Sequence, residues 1–304
     1  MIKSTIRFMA IRNLAFAVTL VLTVVGIGAL VAKGLNFGLD FTGGTLIELK
    51  YEQPADLERI KAELGQAGYS DAVVQSFGAT TDVLVRLAGD DPQLGAQVAS
   101  ALRGIDPDAA FELKRVEFVG PQVGEELRDQ GGLAVLLALG GILLYLAFRF
   151  QWKFGVGAVA SLAHDTIITL GVLAFFEIPF DLTVLAAVLA MVGYSLNDTI
   201  IIYDRIRENF RVLRKADIIE NIDVSVTQTL LRTLATSFST ALALIALLVW
   251  GGDTLAAFAT TLLVGVVGGT YSSVYIGATV LIWLKLTGED LIPPPVAEGV
   301  DERP

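Results

Sequence analysis

The sequence has no cysteine and a single histidine, His164, among its 304 residues. Without cysteine there is no disulfide framework, no thiol nucleophile and no cysteine-based zinc cluster. Charged residues are also scarce, at 18%, whereas hydrophobic residues make up 54% and the mean hydropathy is +0.64. A soluble core does not need so much apolar surface. The composition therefore indicates an integral membrane protein.

Six apolar runs approach the roughly 20 residues that are needed to cross about 30 Å of hydrocarbon. They cover residues 14–32, 132–150, 154–176, 182–203, 229–250 and 255–286. The first run is too long for a typical signal peptide, and Leu30-Val31-Ala32 is a poor cleavage site. The sequence therefore predicts an α-helical membrane protein with an uncleaved first transmembrane helix at 13–34 and five more helices within 131–288.

Basic residues predict the orientation, because short cytoplasmic loops accumulate Lys and Arg. Basic residues cluster in the N-terminal segment, in the loop between the second and third runs and in the loop between the fourth and fifth runs. They are Lys3, Arg7, Arg12, Arg149, Lys153, Arg205, Arg207, Arg211, Arg214 and Lys215. The opposite loops carry Glu177, Asp181 and Asp253. We therefore expect residues 1–12 and 289–304 to be cytoplasmic and residues 35–130 to be extracytoplasmic. The acidic, proline-containing tail 289–304 is predicted to be disordered.

The polar insert at 35–130 has the pattern of a small α+β domain. Strands are predicted at 45–51, 71–77, 81–87 and 110–119, and helices at 54–67 and 92–103. Pro54 and Pro92 stand in first helical turns, where a missing N–H is tolerated. This βαββαβ order predicts a ferredoxin-like fold. Between 36 and 130 there are eight basic and seventeen acidic residues, a balance that argues against binding nucleic acid.

A glycine-rich segment, residues 36–45, joins the first apolar run to the first predicted strand. Its candidate residues are Gly38, Asp40, Phe41, Thr42, Gly43 and Gly44. It lacks the Gly-Lys-Ser/Thr ending of a P-loop, so a phosphate cradle is not indicated. Two interpretations remain open: a structural turn, and a contact surface for a partner subunit or a passing chain.

Asp198 lies inside the fourth apolar run, where a carboxylate by default marks an ion pathway or a buried partner. Helical spacing places Tyr194, Asn197, Asp198 and Ile201 on one face. Arg232, in the fifth run, lies at a similar depth, so an ion pair with Asp198 fits the geometry. The alternatives are a static buried hydrogen bond for Asp198 and an interfacial anchor for Arg232.

His164 and Asp165 lie near the middle of the third run. Adjacent helical residues point about 100° apart, so the two cannot both face one neighbour. His164 could relay protons or make a structural hydrogen bond. Asp165 is the more informative of the two, because its depth makes burial without purpose costly.

Two motifs, residues 37–45 and residues 193–199, together with the topology, resemble the SecD/SecF family of bacterial protein-export membrane subunits, which are relatives of the resistance-nodulation-division (RND) transporters. The resemblance implies a SecF-type half of an RND-type pseudo-symmetric bundle in the bacterial inner membrane. It implies a separate SecD subunit, the SecYEG channel and unfolded preproteins as partners, with YidC as a further candidate beside membrane lipid. It also implies the proton-motive force as the energy source, with no cofactor and no metal.

By this resemblance the family's essential aspartate falls on Asp198 and its arginine on Arg232. Asn197 and Thr199 match flanking motif positions, whereas the His164-Asp165 pair matches a recurrent pair without a transferable role. The implied cycle protonates Asp198 from outside, separates it from Arg232 and releases the proton inward. The rival interpretations are half of an RND-type small-molecule efflux transporter, an intramembrane hydrolase using Asp165 and Asp198, and a structural scaffold.

Overall fold

The computed structural model describes residues 5–291 except 78, 90, 92, 106–110, 214 and 215. Several residues used in the predictions lie outside this part of the chain: Lys3, Pro92, Ala110, Arg214, Lys215 and residues 292–304. The described residues form six long apolar helical spans and one four-stranded sheet. The predicted class, a six-helix membrane protein with a small α+β domain, is confirmed.

The first span, Phe8–Lys33, is a 3₁₀ turn at Phe8–Ile11 followed by helix α1, Arg12–Lys33. A single helical turn, α2, Leu39–Thr42, leads into the α+β domain. The elements of that domain are β1 Gly44–Tyr51, α3 Leu57–Gln66, β2 Val73–Phe77, β3 Ala79–Leu87, α4 Leu94–Ile105 and β4 Phe111–Val119. The predicted βαββαβ order is therefore confirmed.

The sheet has the strand order β2-β3-β1-β4, and every neighbouring pair is antiparallel. Alternation along the strands turns one set of side chains, including Ile47 and Val85, towards a core shared with Leu64 of α3 and Leu102 of α4. This is the ferredoxin-like arrangement, with both helices on one face. The opposite face is left to meet the membrane helices.

Three of the remaining spans extend well beyond their apolar runs, a fourth is shifted by one or two residues, and the last ends at Trp283, three residues short of the predicted end at 286. Their helices are α5 Pro121–Arg149, α6 Trp152–Phe175, α7 Leu182–Val212, α8 Ile218–Trp250 and α9 Asp253–Ser272, which continues through a π turn at Ser273–Gly277 into α10 Ala278–Trp283. Helix α5 therefore starts 11 residues before the predicted run at 132. Hydropathy detects only the apolar part of a helix, whereas the observed ends are set by local signals. Pro121 is in the first turn of α5, and the Asp217 carboxylate accepts a hydrogen bond from the Glu220 N–H to cap α8.

Helices α6, α7 and α9 form the centre of the bundle, whereas α1, α5 and α8 cover it and expose most of their apolar side chains. Helix α1 crosses α6 closely, because Gly26 and Gly171 face each other without side chains. Many polar residues on α6, α7 and α9 are consequently buried, among them Asp165, Ser195 and Ser272. This arrangement decides which predicted site residues are buried.

The chain after the last span folds back on α6. Glu289–Leu291 forms a 3₁₀ turn, and the Asp290 carboxylate pairs with Lys153 Nζ at 2.6 Å. The prediction of disorder is therefore wrong for these three residues, because the ion pair holds them.

Candidate functional site

The glycine-rich turn packs between the α+β domain and helix α5. Gly43 and Gly44 have φ angles of +65° and +110°, which L side chains rarely adopt. A Cβ on Gly43 would lie 2.9 Å from Pro121 Cα, and one on Gly44 would overlap the Leu87 carbonyl oxygen. Both glycines are therefore required by backbone conformation and by close packing.

The same turn contacts the start of α7. The Asp40 carboxylate accepts a hydrogen bond from the Leu182 N–H at 2.9 Å, and Asp181 accepts one from the Val184 N–H at 2.8 Å. N–H groups in the first turn of a helix have no partner within the helix. Asp40 and Asp181 therefore cap α7 together, one of them from a distant part of the chain.

The other residues of the turn are also engaged. The Gly38 N–H donates to the Phe180 carbonyl at 2.8 Å, and the Thr42 hydroxyl donates to the Gly38 carbonyl at 3.1 Å. The buried Phe41 ring stacks on Phe180 with a centroid distance of 5.9 Å. This geometry is that of a structural turn which ties the α+β domain to the helices.

Asp198 is buried on α7, with 1% of its surface exposed. Neither of its carboxylate oxygens forms a hydrogen bond with a described residue. The Ser237 hydroxyl and the Arg232 guanidinium, both on α8, are close enough to act on it electrostatically. Ser237 also bonds Thr270 of α9 at 2.7 Å and accepts from the Tyr194 hydroxyl at 3.4 Å. Tyr194 and Asp198 therefore meet the same serine, as their predicted common face requires.

Arg232 and Asn197 are exposed on α8 and α7. The predicted common face with the buried Asp198 is therefore wrong for Asn197, because adjacent helical residues point about 100° apart. Because both Asp198 oxygens lack a bonded partner in the described part of the chain, the guanidinium and the carboxylate form no direct ion pair here. A charge as deeply buried as Asp198 is costly when it has no bonded partner. The site therefore suits a group whose charge appears and disappears with a proton.

Asp165 is bound from three helices. Its Oδ2 accepts hydrogen bonds from the Ser195 hydroxyl of α7 at 2.5 Å and from the Ser272 hydroxyl of α9 at 2.7 Å. Its Oδ1 lies 3.0 Å from Nδ1 of His164. The Nε2 of His164 is buried without a hydrogen-bond partner among the described residues. Asp165 is thus a polar junction at the centre of the bundle.

Thr199 faces the central side of α7, away from α8. Its hydroxyl lies 2.8 Å from the Ser273 hydroxyl in the π turn. It also donates to the Ser195 carbonyl at 3.3 Å. Thr199 therefore shares the neighbour Ser195 with Asp165, and among the described residues it shares no hydrogen-bond partner with Asp198.

The carboxylates of Asp165 and Asp198 have different neighbours. Asp165 bonds Ser195, Ser272 and His164, whereas Asp198 interacts with α8. No shared polar partner joins them within the described ranges. This arrangement does not support a pair of catalytic carboxylates, as an intramembrane hydrolase would need.

Five small hydroxyl residues that sequence reasoning did not assign to a site contribute to these networks: Ser195, Ser237, Thr270, Ser272 and Ser273. Serine and threonine are common packing residues in membrane helices, so composition alone does not single them out. Ser195 lies within the 193–199 motif, which was the one available signal. The other residues can be assigned only when the structure shows which helix each side chain faces.

Two family models match the chain. "Protein export membrane protein SecD/SecF, C-terminal" matches residues 97–287, and "SecD/SecF GG Motif" matches residues 28–55. The first match contains α6 to α10 with both carboxylates, and the second contains the glycine-rich turn. The buried carboxylates and the glycine-rich turn therefore lie within the regions that the two family models match.

Curated relatives agree along nearly the whole chain. The protein translocase subunit SecF of Pseudomonas aeruginosa is 67% identical over 99% of this chain and 98% of its own length. The SecF subunit of Vibrio alginolyticus is 48% identical, over 99% and 98%. The SecF subunit of Escherichia coli O157:H7 is 41% identical, over 95% and 91%. These relatives are named as subunits of a protein translocase and not as drug transporters.

A solved structure shares the fold. The crystal structure of SecDF, a translocon-associated membrane protein from Thermus thermophilus, is similar with a TM-score of 0.84 and 38% identity, over 93% of this chain and 39% of the SecDF chain. A second SecDF structure, described as a super-membrane-facing form, gives a TM-score of 0.68 at 37% identity. Similarity to one part of SecDF agrees with the predicted half of an RND-type bundle. The chain belongs to the SecD/SecF family of protein-export membrane proteins, as a SecF-type, multi-pass bacterial membrane protein.

Proposed function

We propose that this chain acts with a SecD-type partner to couple the proton-motive force to preprotein translocation through the SecYEG channel and to release from it. The proton gradient, and not a bound cofactor, is the energy source in this proposal. The observation that carries it is Asp198, a buried carboxylate at the α7–α8 contact without a bonded partner in the described residues. Intramembrane carboxylates of this kind are typical of proton pathways.

In the proposed cycle Asp198 takes a proton from the outer side and releases it to the inner side. When the carboxylate is charged, it attracts the α8 guanidinium of Arg232; when it is protonated, that attraction is lost. The α7–α8 contact therefore alternates with protonation. Each proton moved through 100 mV supplies about 2.3 kcal/mol, which is enough to bias the direction of a sliding chain or to reset a hinge.

The start of α7 links this contact to the α+β domain. Asp40 and Asp181 cap α7, and the next two motif glycines are packed against Pro121 and Leu87. A movement of α7 relative to α8 is therefore transmitted to the glycine-rich turn, which leads into β1. We propose that the domain moves in this way while it contacts an unfolded preprotein.

The exposed polar side chains of α7 and α8 are evidence that a partner subunit covers this surface. Arg232 lies about 21 Å along α8 from Ile218, at 1.5 Å per residue, and Asn197 is exposed on α7. A guanidinium in contact with lipid tails is costly, so a protein surface that can accept its hydrogen bonds is favoured. We propose that a SecD-type subunit covers this surface, while SecYEG, YidC and lipid contact other faces.

The distribution of basic residues supports a location in the bacterial inner membrane with both termini cytoplasmic and residues 35–130 outside. This orientation places the α+β domain where a preprotein leaves the channel. It also places the C-terminal end of α7, which is the end farther from that domain, at the cytoplasmic face.

The test is preprotein release from membrane vesicles that contain the chain, its SecD-type partner and SecYEG, with and without an imposed proton gradient. The variant is Asp198→Asn, which keeps the side-chain size and removes the titratable group. The matched control is Glu208→Gln on the same helix, because Glu208 is exposed and its ion pair among the described residues is with Arg205, one turn away at 2.9 Å.

We expect Asp198→Asn to lose the gradient-stimulated part of release while it still assembles with its partner, and Glu208→Gln to behave as wild type. Equal stimulation in wild type and Asp198→Asn would overturn the proposal. The scaffold interpretation would then be favoured.

A further inference from the structure

A second line of polar side chains runs through the centre of the bundle, apart from Asp198. We call it the inner seam, and it lies between α6, α7 and the last span. Its members are Ser161, His164, Asp165, Ser195, Thr199, Tyr203, Ser272 and Ser273, and all of them are buried. On α7 its residues recur every four positions, at 195, 199 and 203, so they lie on one face.

Hydrogen bonds join the inner seam in two groups, one around Asp165 and one at Thr199 and Ser273, and among the described residues the two groups meet only at the Ser195 carbonyl. Asp165 accepts from the Ser195 and Ser272 hydroxyls, and Ser161 donates to the Ser272 hydroxyl at 2.9 Å. One turn further along α7, the Thr199 hydroxyl lies 2.8 Å from the Ser273 hydroxyl. Hydroxyl groups can donate and accept at the same time, so such a line can pass protons along it.

Tyr203 lies one more turn towards the end of α7. It is fully buried, yet its hydroxyl has no hydrogen-bond partner among the described residues. Its ring packs against Phe154 with a centroid distance of 5.1 Å, a contact that phenylalanine would make equally well. The packing therefore explains the ring but not the hydroxyl.

The space for that hydroxyl is provided by two glycines. A Cβ on Gly157 of α6 would overlap the Tyr203 oxygen, and one on Gly277 would lie 2.8 Å from it. Gly277 ends the π turn, Ser273–Gly277, and such turns interrupt the regular helical hydrogen bonds and occur often at functional sites. The hydroxyl thus lies beside backbone whose helical bonding is irregular.

We propose that Asp165 is a second proton-binding carboxylate, and that the inner seam carries its proton to or from the end of α7 by way of the Tyr203 hydroxyl. The inference rests on the proposed function, since it assumes proton flow through this subunit. Each hydroxyl accepts one proton and donates its own to the next group, so one proton moves and no hydroxyl stays charged. Ser195 to Thr199 and Thr199 to Tyr203 are each about 6 Å along the helix, and no hydrogen bond between hydroxyls joins either pair in the described structure. The proposal therefore places one bridging water in each gap, which accepts a proton from one hydroxyl and donates one to the next.

The surroundings of the inner seam add few other titratable groups. His164 is the titratable neighbour bonded to Asp165 in the described structure. Tyr271 of α9 is directed to α1, where its hydroxyl donates to the Ala15 carbonyl at 2.7 Å. Thr19 of α1 and Thr261 of α9 are also buried and do not titrate. Asp198 acts on the other side of α7.

The experiment measures proton uptake into proteoliposomes that contain the chain and its SecD-type partner, with a trapped pH-sensitive dye and an imposed gradient. The seam variants are Asp165→Asn, Thr199→Val and Tyr203→Phe. The controls are Tyr271→Phe, which removes a hydroxyl outside the seam, and Thr261→Val, which removes a hydroxyl that, within the described residues, bonds the Ala257 carbonyl of its own helix. Thermal midpoints are recorded for all variants, and Asp198→Asn is measured beside them.

We expect uptake to fall at least tenfold in Asp165→Asn and Tyr203→Phe and severalfold in Thr199→Val, with Tyr203→Phe as stable as wild type or more so. Both controls should keep wild-type uptake, although Tyr271→Phe should melt lower. Wild-type uptake in Tyr203→Phe and Thr199→Val would overturn the inference while Asp198→Asn still lost uptake. Equal loss in seam variants and controls would also overturn it. Wild-type uptake in Asp198→Asn would instead overturn the proposed function.

Discussion

The carboxylate of Asp40 accepts a hydrogen bond from the backbone N–H of Leu182 at 2.9 Å, across 142 positions of sequence. Leu182 is the first residue of α7, the helix that carries Asp198. Asp40 belongs to the turn whose last glycine, Gly44, begins β1. One hydrogen bond therefore connects the membrane carboxylate's helix to the first strand of the α+β domain.

Replacing Gly44 with alanine should destabilise this connection. Gly44 has a φ of +110°, and an added Cβ would overlap the Leu87 carbonyl oxygen on the neighbouring strand. We expect Gly44→Ala to lower the free energy of unfolding by about 1–3 kcal/mol, from backbone strain and steric overlap. Thermal unfolding of the purified subunit in detergent measures this.

Gly104→Ala is the matched control for that substitution. Gly104 lies in α4, and nothing would lie within 4 Å of its Cβ. Alanine is favoured over glycine in a helix by up to about 1 kcal/mol, so this variant should melt as wild type does or higher. Equal midpoints for the two variants would show that the turn does not require its glycine.

The sequence predicted the class of each element better than its ends. Apolar runs identified all six spans because hydropathy reports which residues can contact lipid. Helix α7 nevertheless continues to Val212, nine residues past the predicted run, because charged residues such as Arg205 and Glu208 pair across a helical turn at 2.9 Å. A polar helical extension gives no hydropathy signal.

The sequence could identify single residues of the candidate site but not the contacts between them. Asp198 and Asp165 could be identified because a carboxylate in an apolar run is costly wherever it points. Their partners could not, because Ser195 and Ser272 are separated from Asp165 by 30 and 107 positions. Which helices meet depends on close contacts such as that between Gly26 and Gly171. The sequence does not show which helix a serine or threonine hydroxyl faces.

Arg232 should matter for assembly and transport but little for the fold of the isolated subunit. Its side chain is exposed on α8, and substitutions at exposed positions usually change the free energy of unfolding by no more than about 0.5 kcal/mol. We therefore expect Arg232→Gln to leave the thermal midpoint of the subunit nearly unchanged. Co-purification with a SecD-type partner and gradient-driven release should both be reduced.

Asn209→Ala provides the contrast. Asn209 is buried, and its amide donates to the Ser225 hydroxyl at 2.8 Å and to the Gln228 side chain at 3.0 Å. Leaving buried polar groups unpaired costs about 1–3 kcal/mol, so this variant should melt clearly lower. A comparable loss of stability in Arg232→Gln would mean that the arginine supports the subunit itself.

The contact of Asp290 with α6 should weaken at low pH. The hydrogen bond from Lys153 Nζ, together with bonds from Thr287, holds the pKa of Asp290 below its ordinary value of 3.8. A lowered pKa in the folded chain means that the contact contributes its full stability above the ordinary pKa and loses it as the pH falls through the folded pKa. We expect the turn at Glu289–Leu291 to be held at neutral pH and released only as the pH falls below 3.8, the ordinary value of this pKa.

Carboxyl ¹³C NMR of Asp290 measures this titration directly. The midpoint should lie below 3.8 in the wild type and should rise when Lys153 is replaced by methionine, which removes the donor and keeps the length of the side chain. A midpoint at or above 3.8 in the wild type would contradict the prediction. So would a midpoint that Lys153→Met does not change.

The crossing of α1 over α6 should tolerate no larger residue at Gly171. A Cβ on Gly171 would overlap Gly26 Cα, and one on Gly26 would lie 3.3 Å from the Ile167 carbonyl oxygen. Valine at position 171 must therefore push the two helices apart, and overpacking of this kind costs about 1–3 kcal/mol or more. We expect Gly171→Val to lower the thermal midpoint and to expose α1 to proteolysis.

Gly28→Val separates this steric effect from a general effect of glycine replacement in these helices. Gly28 is two residues from Gly26 on α1, and nothing would lie within 4 Å of its Cβ. Valine there meets open space, so the thermal midpoint of the isolated subunit should stay near that of the wild type. If Gly28→Val destabilised the subunit as much as Gly171→Val, helix propensity and not the Gly26–Gly171 contact would account for both losses.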